Sequence, residues 1–121
     1  MPELHTCVDM IEVKRLREAI ERHGNRFLRR IYTDAELEEL RCNLPSLAAR
    51  FAGKEAVAKA LATGIGDLSW QEVEILRGPR REPVLHLYGA AQTIANKRGI
   101  KHWAITLSHT HEHALAFVVA S

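Results

Sequence analysis

Residues 47–61 read LAARFAGKEAVAKAL, and this stretch constrains the fold more than any other. Leu47, Phe51, Val57 and Leu61, with six alanines between them, cover nearly the whole circumference of a helix. A helix apolar on all sides is a buried one. Yet it carries Arg50, Lys54, Glu55 and Lys59, residue types that are rarely fully buried without partners. The rest of the chain must cover this helix and answer its charges.

The flanking segments read clearly. LHTCVDM (4–10) alternates in the manner of a short strand, with Asp9 at its end. IEVKRLREAIERHG (11–24) places Val13, Leu16 and Ile20 on one helical stripe and stops at Gly24. TDAE (33–36) has capping-box spacing, Thr33 as N-cap and Glu36 three residues on. It opens a short acidic helix ending near Arg41. Pro45 and Ser46 precede the long helix, which closes at Gly64. Beyond it the period falls from 3.6 to 2: residues 70–76, 83–88, 102–108 and 113–120 predict strands, and 89–99 a short helix. HTHE joins the last two strands as a four-residue hairpin loop, and RGPRREP (77–83) is a loop rich in Arg, Gly and Pro. The expectation is an α+β fold, one domain over 1–121, with an antiparallel sheet against the long buried helix.

Composition excludes several classes. A chain of 121 residues with 46% hydrophobic and 26% charged residues fits one soluble globular domain. Cys7 and Cys42 sit in no CxxC spacing and no secretory leader precedes them, so both read as free thiols of a cytoplasmic protein. No apolar run reaches the roughly 18 residues a membrane span needs. A net charge of +2 gives no case for nucleic acid.

Candidate chemistry lies in five places. Glu55 and Lys59 stand at i and i+4, adjacent on a helix surface. They form either an exposed ion pair or a metal-binding carboxylate beside an anion-facing ammonium, with Asp9 as a second carboxylate. Two carboxylates completed by water and phosphate oxygens suit Mg²⁺. In TGIG, Gly64 and Gly66 allow backbone N–H groups to approach an anion, although Gly64 serves equally as a helix C-cap. Arg80 and Arg81 of GPRRE can hold a phosphate or stand in a solvated loop. HTHEH presents His109, His111 and His113, and alternation invites a zinc reading that a hairpin turn would break. Arg15, Arg22 and Arg26 fall on one flank of a helix continued through Gly24, with Arg29 and Arg30 following. This is a solvated basic face or a docking surface for an acidic partner.

Four stretches, VDMIEVKRL, RFLRRIYTDAEL, RFAGKEAVAKALATGIG and ITLSHTHEHALAFVVA, together resemble the holo-[acyl-carrier-protein] synthase family. These are the small bacterial 4′-phosphopantetheinyl transferases, and the stretches occur in the family's order. The resemblance implies magnesium held by Asp9 and Glu55, with Lys59 one turn on near the diphosphate or the attacking serine. It implies coenzyme A contacts from Arg50, Gly64, Gly66, Arg80, Arg81, Pro83, His109 and Thr110. It also implies docking of an apo acyl carrier protein on Arg15, Arg22, Arg26, Phe27 and Arg30, and a homotrimer with clefts between subunits. Two departures stand out: Cys7-Val8-Asp9 where Gly-Ile-Asp is common, and Gly53 where alanine is usual. The competing readings are a non-catalytic module for an acidic protein or RNA, and a nucleotide phosphatase using the same carboxylates.

Overall fold

The computed structural model describes residues 3–63 and 65–121. β1 (His5–Glu12) leads into four helices, α1 (Val13–His23), α2 (Asn25–Ile31), α3 (Asp34–Leu40) and α4 (Leu44–Ala60). Two 3₁₀ turns, Ile65–Asp67 and Trp70–Glu72, precede β2 (Val73–Arg77) and β3 (Pro83–Leu87). Then follow α5 (Gly89–Lys97), β4 (Trp103–His109) and β5 (His113–Ala120).

All pairings are antiparallel, but the strands form two sheets rather than one: β1-β5-β4 and β2-β3. Helix α4 packs against both. Its approach is close because small residues meet small residues. Ala52 and Ala56 of α4 are buried, and so are Ala114, Ala116, Val118 and Ala120 on the inner face of β5. The outer face of that sheet is apolar and uncovered: Val8 pairs with Phe117 and Met10 with Leu115, and all four side chains are exposed.

Several boundaries differ from the sequence reading, each for a local reason. β1 continues past Asp9 to Glu12, so Asp9 lies mid-strand opposite Ala116. Gly24 breaks the basic helix: at φ +59° its N–H caps the Ile20 carbonyl at 2.7 Å, and α2 starts anew at Asn25. Arg15 and Arg22 therefore belong to one helix, Arg26 and Arg30 to another. The Thr33–Glu36 capping box is present. α4 begins at Leu44, with the Asn43 side chain accepting the Ser46 N–H at 3.0 Å and Pro45 inside the first turn. It ends at Ala60, where Ala62 at φ +57° supplies the left-handed turn expected of Gly64. Gly64 itself lies outside the described residues. Trp70–Glu72 coils as a 3₁₀ turn because Ser69 and Glu72 cap each other, delaying β2 to Val73. The last hairpin is one residue tighter than expected, since β4 runs on through His109 and leaves only 110–112 before β5.

The charges of α4 have a structural answer in the free edge of β2. An edge strand exposes unpaired backbone groups; here side chains take them in order. Lys54 Nζ donates to the Val73 carbonyl, and the Ile75 N–H donates to Glu36 Oε2 at 2.9 Å. Arg50 Nη1 donates to the Ile75 carbonyl at 2.9 Å, and the Arg77 N–H donates to Glu39 Oε1 at 2.9 Å. The four side chains also pair among themselves. Lys54 Nζ lies 2.8 Å from Glu36 Oε1, both side chains fully buried, and Arg50 Nη2 lies 3.3 Å from Glu39 Oε2. Two cations from α4 and two carboxylates from α3 thus stand where a neighbouring strand would. Lys54 Nζ is taken up by Glu36 and the main chain of β2.

Candidate active site

Strand alternation turns Asp9 to the face it shares with Cys7 and Ile11. The helical period puts Phe51 and Glu55 on one stripe of α4, with Lys59 a turn further on. The result is a cleft of about 350 Å³ lined by Asp9, Ile11, Leu16, Phe27, Phe51 and Glu55, with Met10, Arg15 and Ala19 at its walls. Phe51 is fixed by stacking on Trp70, ring centroids 4.7 Å apart. Lys59 Nζ donates to Asp9 Oδ1 at 2.7 Å. The three charged groups of the sequence reading therefore do converge.

Their electrostatics follow from that convergence. Burial pushes the Glu55 carboxyl above its usual range; Asp9 pushes it the same way and Lys59 opposes. The hydrogen bond to Asp9 raises Lys59, against the lowering by burial. A raised carboxyl beside a second carboxylate is a site short of positive charge. The donor set is hard oxygen, and among the described residues no cluster of three or more His, Cys, Asp or Glu is placed to hold a metal. Two protein carboxylates with places left for water and phosphate oxygens fit a magnesium-type ion. The zinc reading of HTHEH finds no such cluster either.

A second cleft, of about 200 Å³, gathers Arg50, Arg77, Arg81, Pro83 and His109 beside Ser46, Ala49 and Leu107. Arg81 is held at φ +66°, in a turn closed by its N–H on the Gly78 carbonyl at 2.9 Å. A non-glycine residue in that region costs of order 1–3 kcal/mol, a strain that Arg41, Cys42 and Ala62 also carry. Arg77 was not singled out from sequence; its place as the last residue of β2, next to the arginine-rich loop, was the available signal. Arg80 does not line the cleft, and its N–H caps Glu82 Oε2 at 2.8 Å. The Thr110 hydroxyl accepts the N–H groups of Glu112 and His113 at 3.2 and 3.1 Å, shaping the turn next to His109. Gly66 lies in the first 3₁₀ turn, where an added Cβ would meet nothing within 4 Å.

The basic helices are split between two hollows. Arg15 lines the carboxylate cleft, while His23, Arg26, Phe27 and Arg30 line a neighbouring hollow of about 310 Å³. Phe27 lines both and forms the partition between them. Arg22 is exposed and lines neither.

The family to which the chain is similar is one of transferases. Residues 7–118 match the family model of the 4′-phosphopantetheinyl transferase superfamily. A holo-[acyl-carrier-protein] synthase of Dehalococcoides mccartyi is 49% identical, the match covering 97% of this chain and 98% of that protein. One from Herpetosiphon aurantiacus is 46% identical over 96% and 97% of the two chains. Among solved structures, the Helicobacter pylori synthase in complex with coenzyme A superposes with TM-score 0.87 at 28% identity, covering 96% of this chain and 99% of that one. The Neisseria meningitidis synthase gives 0.86 at 34%, with 97% of each chain covered. The chain belongs to the 4′-phosphopantetheinyl transferase superfamily, as a small, synthase-type member.

Proposed function

We propose that this protein transfers the 4′-phosphopantetheine group of coenzyme A to a serine hydroxyl of an apo acyl carrier protein, releasing adenosine 3′,5′-bisphosphate. The observation that carries the reading is that Asp9 and Glu55 line one cleft walled by α1 and α2, with Lys59 bonded to Asp9. Asp9 and Glu55 would hold magnesium, which when bound offsets charge on the diphosphate. Phosphoryl transfer needs chiefly positioning and charge stabilisation. Lys59 supplies a cation at the mouth of the cleft, and Phe51 and Phe27 exclude water from its floor and side. Arg50, Arg81, Pro83 and His109 would receive the nucleotide end of coenzyme A. Arg15, Arg26, Phe27 and Arg30 would dock the acidic carrier, with Arg22 at the rim.

The same reading makes the protein a homotrimer. Within one chain the carboxylate cleft and the arginine cleft share no lining residue. The exposed face of Val8, Met10, Leu115 and Phe117 is the kind of apolar patch that marks an interface. A neighbouring copy seated there would bring one chain's arginine cleft towards another's carboxylates. Free Cys7 and Cys42 suit a reducing cytoplasm. No helix among the described residues is long and apolar enough to cross a membrane.

The test is to incubate the protein with coenzyme A, Mg²⁺ and an apo acyl carrier protein, and to weigh the carrier intact. The expected result is a gain of one phosphopantetheine, abolished by chelator. No gain with any of several carriers overturns the reading.

A further inference from the structure

We infer that Glu39, outside the residues so far given a role in the reaction, is a positioning residue for the coenzyme A cleft. The inference rests on the functional reading above. Glu39 sits on α3, behind the cleft rather than in it, and joins two of its walls. Both carboxylate oxygens accept the Arg77 backbone N–H, at 2.9 and 3.1 Å, and Oε2 also takes Arg50 Nη2 at 3.3 Å. Arg77 is the last residue of β2, so this contact fixes the point from which the strained 78–82 turn departs. That turn carries Arg81 and Pro83 to the cleft. Arg50, by contrast, comes from α4. One carboxylate thus sets the distance between the helix wall and the hairpin wall.

Charge supports the same role. The Arg50 guanidinium is pushed down from its usual range first by burial and also by the nearby Arg77, while Glu39 opposes both. Arg50, Arg77 and Arg81 crowd one small cleft, and like charges so placed repel. Glu39 is the counter-charge that lets the arginines stand together before an anionic ligand arrives. Binding then requires little rearrangement, which is what preorganisation means energetically. The neighbouring Glu36 acts on Arg50 in the same direction but more weakly, its carboxylate being taken up by Lys54, Thr33 and Ile75.

The experiment compares wild type, Glu39→Ala and Glu39→Gln in the full chain, with steady-state kinetics in coenzyme A and in carrier, and amide exchange at Arg77. Glutamine keeps an acceptor for the Arg77 N–H; alanine keeps none. The expected result is a KM for coenzyme A raised about 10-fold in Glu39→Ala and only about 3-fold in Glu39→Gln, which keeps the acceptor but not the counter-charge. The carrier KM and kcat should stay within about 2-fold, and Arg77 amide exchange should be faster only in Glu39→Ala. An active wild type with an unchanged or lowered coenzyme A KM in Glu39→Ala overturns the inference alone. Equal changes in all kinetic parameters overturn it too, since they report general destabilisation. A wild type that takes nothing from coenzyme A overturns the functional reading, and this inference falls with it.

Discussion

A Cβ placed on Gly53 of α4 would lie 2.7 Å from Cδ1 of Ile75 on β2, a separation no packed pair of carbons adopts. Leu107 and Ile105 of β4 stand just behind, at 3.2 and 3.4 Å. The glycine is therefore where the helix touches both sheets, and its missing Cβ is matched by the branched residue opposite. Two effects oppose each other in Gly53→Ala. Helix propensity gains about 1 kcal/mol, and overpacking costs about 1–3 kcal/mol. The single substitution should lower stability by about 1 kcal/mol in urea unfolding. In an Ile75→Val background, which removes Cδ1, the same substitution should raise it.

Lys54 and Glu36 should behave as one unit. Lys54→Met leaves the Glu36 carboxylate buried with only backbone N–H donors, and breaking a buried pair on one side costs about 3–5 kcal/mol. Converting Glu36 to Gln in the same chain should return a large part of that loss. Denaturant midpoints of the two single variants and the double variant check this through a mutant cycle.

Glu55→Gln should abolish transfer and spare the fold. The group is half-buried, and its carboxyl is already raised by burial and by Asp9, so neutralising it removes an unfavourable charge. Activity at ordinary magnesium should fall by about 100-fold or more, the scale on which losing one electrostatic contact to a transferring group acts. The thermal midpoint should hold or rise. Full turnover by this variant would sink the assignment of Glu55 to the metal.

Arg26→Glu should raise the KM for the carrier about 10-fold and leave the KM for coenzyme A alone. Arg26 lines the hollow beside Phe27, away from the arginine cleft. Because the contact is electrostatic and peripheral, the wild-type preference should shrink as salt rises. Carrier titrations at two ionic strengths decide it.

Phe117→Asp should dissolve the assembly. Phe117 is 42% exposed at the centre of the outer sheet face, between Val8 and Thr106. A carboxylate there cannot be buried against a second copy without a partner. Sedimentation should show trimer for wild type and monomer for the variant, with transfer lost alongside. A wild type that sediments as a monomer would remove the intersubunit cleft.

Much of this was legible in the sequence, and what was not has physical causes. The burial of most of residues 47–61 follows from a 3.6-residue period, and the adjacency of Glu55 and Lys59 from their i, i+4 spacing. That Asp9 of a distant strand joins them was implied only by the family resemblance. The Thr33–Glu36 box was legible because capping is local. The second function of Glu36, reaching Ile75 and Lys54, was not, because those partners lie 39 and 18 residues away. Arg50 and Lys54 show the same limit. Their charge says that partners must exist, but only the packing of α3 beside β2 says which. The division into two sheets was equally hidden, since each strand carries the same alternation whichever neighbour it takes.

The seal along β2 reads main chain, not side chains: Lys54, Glu36, Arg50 and Glu39 address only its carbonyls and amides. Over evolutionary time the two partners therefore face different rules. The strand is free to exchange side chains as its packing drifts, because nothing in the clamp depends on their identity. The four clamping positions have no such latitude, and tolerated change at 36 or 54 should come as a paired event.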